Sequence, residues 1–342
     1  MNLKGKFQGK RILFLSVQTF GLQQEIKNRL EELGAVVQYF DERPANNNFT
    51  KGIIRLNPKL LKRTIEKYYH SILKLIATES FDYFFLNRGE IVPEFFIKQF
   101  KVTNPNCETI FYTWDSFKNN PNPMMLLHYF NRKFTFDSKD AEKYDLDFRP
   151  LFYLPEFSQV KLQKSKKLYN LLFLGTAHSD RYKLSSKIID WCLKNGLITF
   201  YYYYMQGRLV YIYKRLFDSS FKEFDYKKLS FKSLSKNQIL DYYKVSDCIL
   251  DIHHPGQNGL TMRTIEAIGA GRKLITTNKE IANYCFYNQI NIHIIDREDI
   301  ILDRSFFDST YQDIDKNIYE SLSLDGWLNS LFFEDESDCW FN

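Results

Sequence analysis

The stretch Asp251-Ile252-His253-His254-Pro255-Gly256-Gln257-Asn258-Gly259-Leu260-Thr261-Met262-Arg263-Thr264-Ile265-Glu266 combines residue types and spacings that suit phosphate and ribose chemistry. An apolar strand empties into a loop with two glycines, and a helix starts near Thr261. The backbone N–H groups of a helix start have no partner within the helix, and the dipole adds partial positive charge there. Gly259, Leu260 and Thr261 therefore frame a place for a diphosphate. Glu266, one turn further on, could accept hydrogen bonds from both hydroxyls of a ribose. Any strand-to-helix turn favours Gly and Thr on conformational grounds alone, and Gly269 and Gly271 would end a short helix anyway. The functional reading rests on the combination of Glu266, the ending Ala267-Ile268-Gly269-Ala270-Gly271 and the strand Lys273-Leu274-Ile275-Thr276 that follows.

A second glycine-bearing turn follows the apolar run 169–174, in Gly175-Thr176-Ala177-His178-Ser179-Asp180-Arg181. Gly175 and Thr176 stand where a ligand would approach the strand end. His178 and His254 could touch a diphosphate or sugar, although loop histidines are commonly just solvated. Arg181 and Arg263 are the cations placed to meet an anion, and surface salt bridging is the alternative role, weightier for Arg181. Asp145-Leu146-Asp147 has the Asp-x-Asp spacing of metal-dependent sugar transferases, but it stands beside a linker and is expected to be a polar loop that holds no catalytic metal.

The elements that must position these residues alternate in the α/β manner. Arg11–Val17 is a continuous apolar run, as in a strand buried on both faces of a parallel sheet. Leu22, Ile26, Leu30 and Leu33 recur at helical spacing before Gly34, and residues 35–40 give the next strand. Helices over 60–77 and 93–101 and strands over 83–86, 109–113 and 133–136 continue the series. After Phe148-Arg149-Pro150 the chain is expected to be irregular, with a basic polar stretch over 159–167. A second series begins at Tyr169: helices over 182–195, 236–244 and 262–269, and strands over 198–203, 248–252 and 273–276. In such sheets ligands lie beyond the carboxyl ends of the strands, and two tandem sheets imply an interdomain cleft. The segment Arg208–Phe217 mixes aromatic, aliphatic and cationic residues. It reads as a helix packed on the second sheet with its cations snorkelling, a peripheral membrane contact being the alternative.

Composition bounds the rest. The 342 residues suffice for two domains, and 44% hydrophobic with 26% charged residues excludes intrinsic disorder. No apolar run approaches the roughly 20 residues of a membrane span, and no signal-peptide apolar region is present, so a cytoplasmic location is expected, with the inner face of the membrane as a variant. Five scattered cysteines suggest neither disulfides nor zinc. A net charge of +6 permits an anionic ligand without demanding nucleic acid. The absence of Walker, Gly-x-Gly-x-x-Gly, His-Glu-x-x-His and Gly-x-Ser-x-Gly motifs removes support for P-loop ATPases, dehydrogenases, zincins and common hydrolases.

The chain resembles the GT-B glycosyltransferases, and more closely the spore-maturation-type and capsular or lipopolysaccharide glycosyltransferases. The residues that carry the likeness are Gly259-Leu260-Thr261-Met262-Arg263-Thr264-Ile265-Glu266, Lys273–Asn278, Phe286-Tyr287-Asn288, Ile295-Asp296-Arg297 and Trp327-Leu328, with Tyr112-Thr113-Trp114-Asp115-Ser116 in the first half. The resemblance implies two Rossmann-like domains: an acceptor-binding domain over 1–150, a linker over 151–168, a nucleotide-sugar-binding domain over 169–315, and a C-terminal segment, 316–342, whose helix returns to the first domain. It implies a hexosyltransferase-like enzyme that moves a sugar from a nucleotide-sugar donor to a cell-surface polysaccharide or a lipid-linked glycan, with no metal and no cofactor. Without a metal, the departing diphosphate must be neutralised by the helix start and by Arg263 and Arg181. An inverting reaction would need a general base in the first domain. Asp115 is the first choice and Glu90, in Asn87-Arg88-Gly89-Glu90, the second, although either could simply cap a helix or bond a loop. The sequence departs from the resembling pattern in having Asn258 where a second acid precedes Glu266, which leaves the stereochemistry open. A non-catalytic binding or assembly protein and a sugar-nucleotide epimerase of the same architecture are the competing readings.

Overall fold

The computed structural model describes the chain apart from residues 1–2, 48–49, 51, 55–56, 178–179, 219–220, 222–223, 257, 335–339 and 342. The chain divides into two compact units, residues 1–150 with 327–337 and residues 151–326 with 338–342.

The first unit holds strands β1 (Arg11–Ser16), β2 (Val36–Asp41), β3 (Tyr83–Asn87), β4 (Glu108–Thr113), β5 (Arg132–Thr135) and β6 (Asp147–Phe148). They form one parallel sheet in the order β2-β1-β3-β4-β5-β6. Ile12, Leu13, Phe14 and Leu15 are all fully buried, as expected of a strand covered on both faces. Parallel strands need crossovers, which the helices Leu22–Glu32, Lys62–Leu75 and Glu94–Thr103 supply. The first of these buries Leu22, Ile26 and Leu30. It ends where Gly34, at φ 98°, lets the N–H groups of Gly34 and Ala35 reach back to the carbonyls of Glu31 and Leu30. The late helix Leu324–Phe332 contributes Trp327, fully buried and edge-on to Tyr112 at 4.8 Å. Phe332 meets Phe7 at 5.2 Å, and Arg132 donates to the Ser330 carbonyl over 3.0 Å.

The second unit holds β7 (Tyr169–Thr176), β8 (Thr199–Tyr204), β9 (Leu229–Ser230), β10 (Ser246–Asp251), β11 (Lys273–Thr276) and β12 (Ile292–Ile294), again all parallel, in the order β12-β11-β10-β7-β8-β9. The strand order reverses between β7 and β10, so the carboxyl ends of these two strands, Thr176 and Asp251, flank the switch point where ligands bind in such sheets. The helix Met262–Gly269 crosses from β10 to β11.

Three expectations need correction. The stretch after Pro150 is not irregular throughout: Pro155 opens the helix Pro155–Leu162, whose Phe157 packs edge-on against Tyr243 at 5.2 Å. Proline is well suited to the first helical turn, where its missing N–H would have no partner anyway. Asp145 and Asp147 do not share a loop. Asp145 ends the helix Ser138–Tyr144 at φ 54°, and Asp147 opens β6. The helix Arg208–Phe217 does form and its half-buried Tyr211 packs against the core of the second unit, but none of its residues is fully buried, so it is not covered as a helix within a layer would be. Among the described residues no helix is long and apolar enough to cross a membrane.

Candidate functional site

β10 ends on Asp251, which has no solvent exposure. Its carboxylate ties the following helix to the strand end. Thr261, in extended conformation, caps that helix by accepting the Thr264 N–H over 3.3 Å, and its own hydroxyl donates to Asp251 Oδ2 over 2.7 Å. The Thr264 hydroxyl reaches the same oxygen at 2.9 Å, while Arg263 Nη1 stands 3.3 Å from Oδ1. A cap of this type contributes about 1 kcal/mol. Here it also fixes where the helix start and Arg263 lie relative to the sheet. Arg263 keeps 21% of its side chain exposed, so a solvent-borne anion can reach it.

Two further guanidinium groups gather at this edge. Arg181 opens the helix after β7 and is 9% exposed; its Nε donates to the Ile252 carbonyl over 2.7 Å, and its Nη1 lies 3.5 Å from the Thr176 carbonyl. Arg181 therefore bridges the ends of β7 and β10 and is no surface salt bridge. Burial first, and then the neighbouring positive charge of Arg263 and Arg297, lowers it to about 10, against the opposing pull of Asp251. Arg297 pairs with Asp180 and donates to the His253 carbonyl and, over 3.3 Å, to Thr277 Oγ1. The His253 ring places Nδ1 2.8 Å from Thr277 Oγ1. Burial and the nearby Arg297 push its pKa down to about 4, which keeps the imidazole neutral at physiological pH. Three guanidiniums against the carboxylates of Asp180 and Asp251 leave a positive excess beside a helix start. A cation 4 Å from a unit negative charge gives roughly 4 kcal/mol of attraction at an effective dielectric of about 20.

Glu266 stands on the same helix, partly exposed as a residue but with its carboxyl turned into the protein. Burial raises that carboxyl to about 7 while Arg263 opposes the shift, and Tyr243 lies 3.5 Å away as a long hydrogen-bond donor. The remaining expected donor-site residues fall around this edge. Gly175 and Thr176 end β7, and a Cβ on Gly175 would lie 2.6 Å from the Phe173 ring. Gly259 and Leu260 are buried in the loop, which Asn278 ties down by donating to the Asn258 carbonyl over 3.0 Å. His254 is exposed, and its Nδ1 accepts the Gly256 N–H over 3.2 Å. His178 lies outside the described residues.

In the first unit, Asp115 and Glu90 belong to one charged cluster at the carboxyl ends of β3 and β4. Asp115 pairs with Arg88 at 2.8 Å and keeps 32% of its side chain exposed. Glu90 is held between Arg43 at 2.5 Å and Arg88 at 3.1 Å, with 9% exposure. Beneath them is Glu42, fully buried, whose two oxygens accept the N–H groups of Gly89 at 2.9 Å and Glu90 at 2.6 Å. Those bonds hold Arg88 at φ 94° and Gly89 at φ 68°. A non-glycine residue in this region costs of order 1–3 kcal/mol unless its surroundings fix it. Glu42 fixes it together with the Tyr112 carbonyl, which accepts the Arg88 N–H over 2.8 Å, and the Asn120 and Asn122 amides, which donate to the Arg88 and Gly89 carbonyls. Burial pushes the Glu42 carboxyl up to about 8, against the two N–H groups that favour its charged form.

Sequence reasoning assigned no role to Asp251, His253, Arg297, Glu42, Arg43 or Arg88. A polar residue closing an apolar strand is a signal for Asp251. Arg297 and Glu42 become neighbours of their partners only through the sheet order, which no local spacing reveals. Among the described residues no group of three or more His, Cys, Asp or Glu side chains is arranged to hold a metal ion.

No family model matches the chain, and no curated protein matches it by sequence. Solved structures do match. A putative UDP-N-acetylglucosamine 2-epimerase from Listeria monocytogenes aligns over 98% of this chain and 100% of its own, at 10% identity and a TM-score of 0.51. The fold is that of the GT-B class. A glycosyltransferase from Rickettsia africae ESF-5 aligns over 94% of this chain and 96% of its own, at 14% identity and TM-score 0.49. The Anabaena protein HepE, solved in complex with UDP and glucose, aligns over 93% and 97%, at 10% identity and TM-score 0.49. At these identities the likeness is one of fold.

Proposed function

We propose that this chain is a glycosyltransferase that binds a nucleotide sugar on its second unit and passes the sugar to a cell-surface polysaccharide or related glycan. The observation that carries the reading is the gathering of Arg181, Arg263 and Arg297 at the carboxyl edge of β7 and β10, beside the Thr261-capped helix start. Cleaving the bond between the sugar and the diphosphate leaves added negative charge on the leaving oxygen. Preorganised cations and a helix start stabilise that charge more in the transition state than in the bound donor, which is what raises turnover. Arg263 is the clamp, Arg181 and Arg297 hold the edge in shape, and Glu266 receives the ribose hydroxyls. The reaction proceeds in this reading without a metal or cofactor. Asp115, the more exposed of the two expected carboxylates, takes the proton of the attacking acceptor hydroxyl, and Glu90 positions Arg88 against it.

A second reading, interconversion of free sugar nucleotides, has in its favour the fold likeness to the Listeria protein whose structure carries an epimerase description. The experiment that separates the readings supplies a panel of nucleotide sugars with and without glycan and lipid-linked acceptors. Acceptor extension coupled to release of the nucleoside diphosphate is expected. A free epimer formed without any acceptor supports the second reading, and binding with no turnover supports a non-catalytic protein.

A further inference from the structure

The helix Arg208–Phe217 displays its large side chains to solvent. Leu209 is 82% exposed, Ile212 52%, Tyr213 64%, Leu216 68% and Phe217 74%. At about 100° per residue these five fall within a single arc of roughly 140°, a width typical of the face a helix buries. Val210, 36% exposed, borders one edge of the arc, and Lys214 lies beyond it; Arg208 and Arg215 border the other. The opposite side rests on the protein through Tyr211, edge-on to Phe221 at 6.1 Å and to Tyr226 at 5.1 Å. The helix thus docks to its own unit by its narrow polar side and presents its apolar side outward.

We infer that this helix seats the second unit on an anionic lipid surface, lying in the plane of the headgroups. An apolar arc bordered on one edge by Arg208 and Arg215, with Lys214 set back beyond the other and lying over the Phe221 ring at 5.1 Å, matches a surface that is apolar within and negative at its boundary. The helix has no Asp or Glu, so a second copy of the same face would bring cations against cations. Ten residues span about 15 Å, half the hydrocarbon thickness, so the helix can lie in the surface but cannot cross it. The inference does not depend on the sugar-transfer reading.

The test is sedimentation of the full chain with vesicles of phosphatidylcholine alone and of phosphatidylcholine with phosphatidylglycerol. Binding to the anionic vesicles is expected, weakened by salt, with little on neutral ones. The triple variant Leu209→Gln, Leu216→Gln, Phe217→Gln should lose roughly tenfold or more of that binding with an unchanged melting temperature, since the replaced groups are already in water. Arg208→Gln and Lys214→Gln should each lose about fivefold. In Tyr213→Trp, tryptophan emission should shift to the blue with anionic vesicles. A chain that stays in the supernatant with anionic vesicles, a triple variant that binds as the parent does, or a parent dimer that the triple variant dissolves while no vesicle binds would each overturn the inference.

Discussion

Thr261 caps a helix with the same hydroxyl that it donates to Asp251, 2.7 Å away, so one buried carboxylate sets both the start of the helix and the direction of Arg263 beside it. Asp251→Asn keeps the shape and removes the charge that two hydroxyls and a guanidinium share. With hydrogen bonds to charged groups worth about 1.5–3 kcal/mol, the substitution should lower stability by about 2 kcal/mol, read as a shift in the urea midpoint without a change in slope. An unshifted midpoint would mean that Asp251 organises nothing.

Glu266 and Arg263 should separate binding from chemistry. Glu266→Gln removes a charged acceptor for the ribose and should weaken donor binding roughly tenfold to a hundredfold with little effect on folding. Because the free protein's Glu266 titrates near 7, parent affinity should rise as pH climbs through that value, and the Gln variant should not follow. Arg263→Ala should depress single-turnover rate more than affinity, since leaving-group charge develops only in the transition state. Donor dissociation constants and single-turnover rates measured across pH decide both points.

The longer strands and helices were legible because fully apolar runs and 3.6-residue spacing are local signals, whereas β6, β9 and β12, of two or three residues each, are too short to carry one. Residues 236–244, 262–269 and 273–276 stand where periodicity puts them. The helix over 155–162 was hidden by Pro155, which reads as a breaker unless it happens to be the first helical residue. The orientation of Arg208–Phe217 was illegible because an apolar arc with flanking cations has the same composition whether it faces a sheet or a membrane. Thr261, Arg263 and Glu266 could be found because they share one short segment. Arg297 could be found only as part of Ile295-Asp296-Arg297, with no role, and Glu42 and Arg43 not at all, because their partners lie on other loops and meet them only once the parallel strands are in order.

Glu42 gives the first unit a pH signature. Its native carboxyl keeps the proton up to about 8, whereas the ordinary value is 4.5. Between those values the native state binds more protons than the unfolded chain, so this group makes stability fall as pH rises through the window and adds no slope above it, by at most about 1.4 kcal/mol per pH unit. Glu42→Gln should remove that slope. Urea midpoints of both proteins from pH 4.5 to 8.5 provide the check, and parallel pH profiles would contradict the burial argument.

Chelation should leave the reaction intact. The reading neutralises the diphosphate with Arg263 and a helix start, so turnover should persist in EDTA at its untreated rate. A loss restored by Mn²⁺ or Mg²⁺ would show that the leaving group relies on a metal.

Calorimetric titration of uridine, thymidine, guanosine and adenosine diphosphate sugars onto the parent chain, Arg263→Ala and Arg297→Ala tests the arginine-cluster site most directly. The account predicts that at least one donor binds the parent and that each substitution weakens it by about tenfold or more, with melting temperature showing both variants folded. A donor that binds all three proteins equally, or a parent that binds no nucleotide sugar, would place the diphosphate elsewhere and remove the basis for the proposed function.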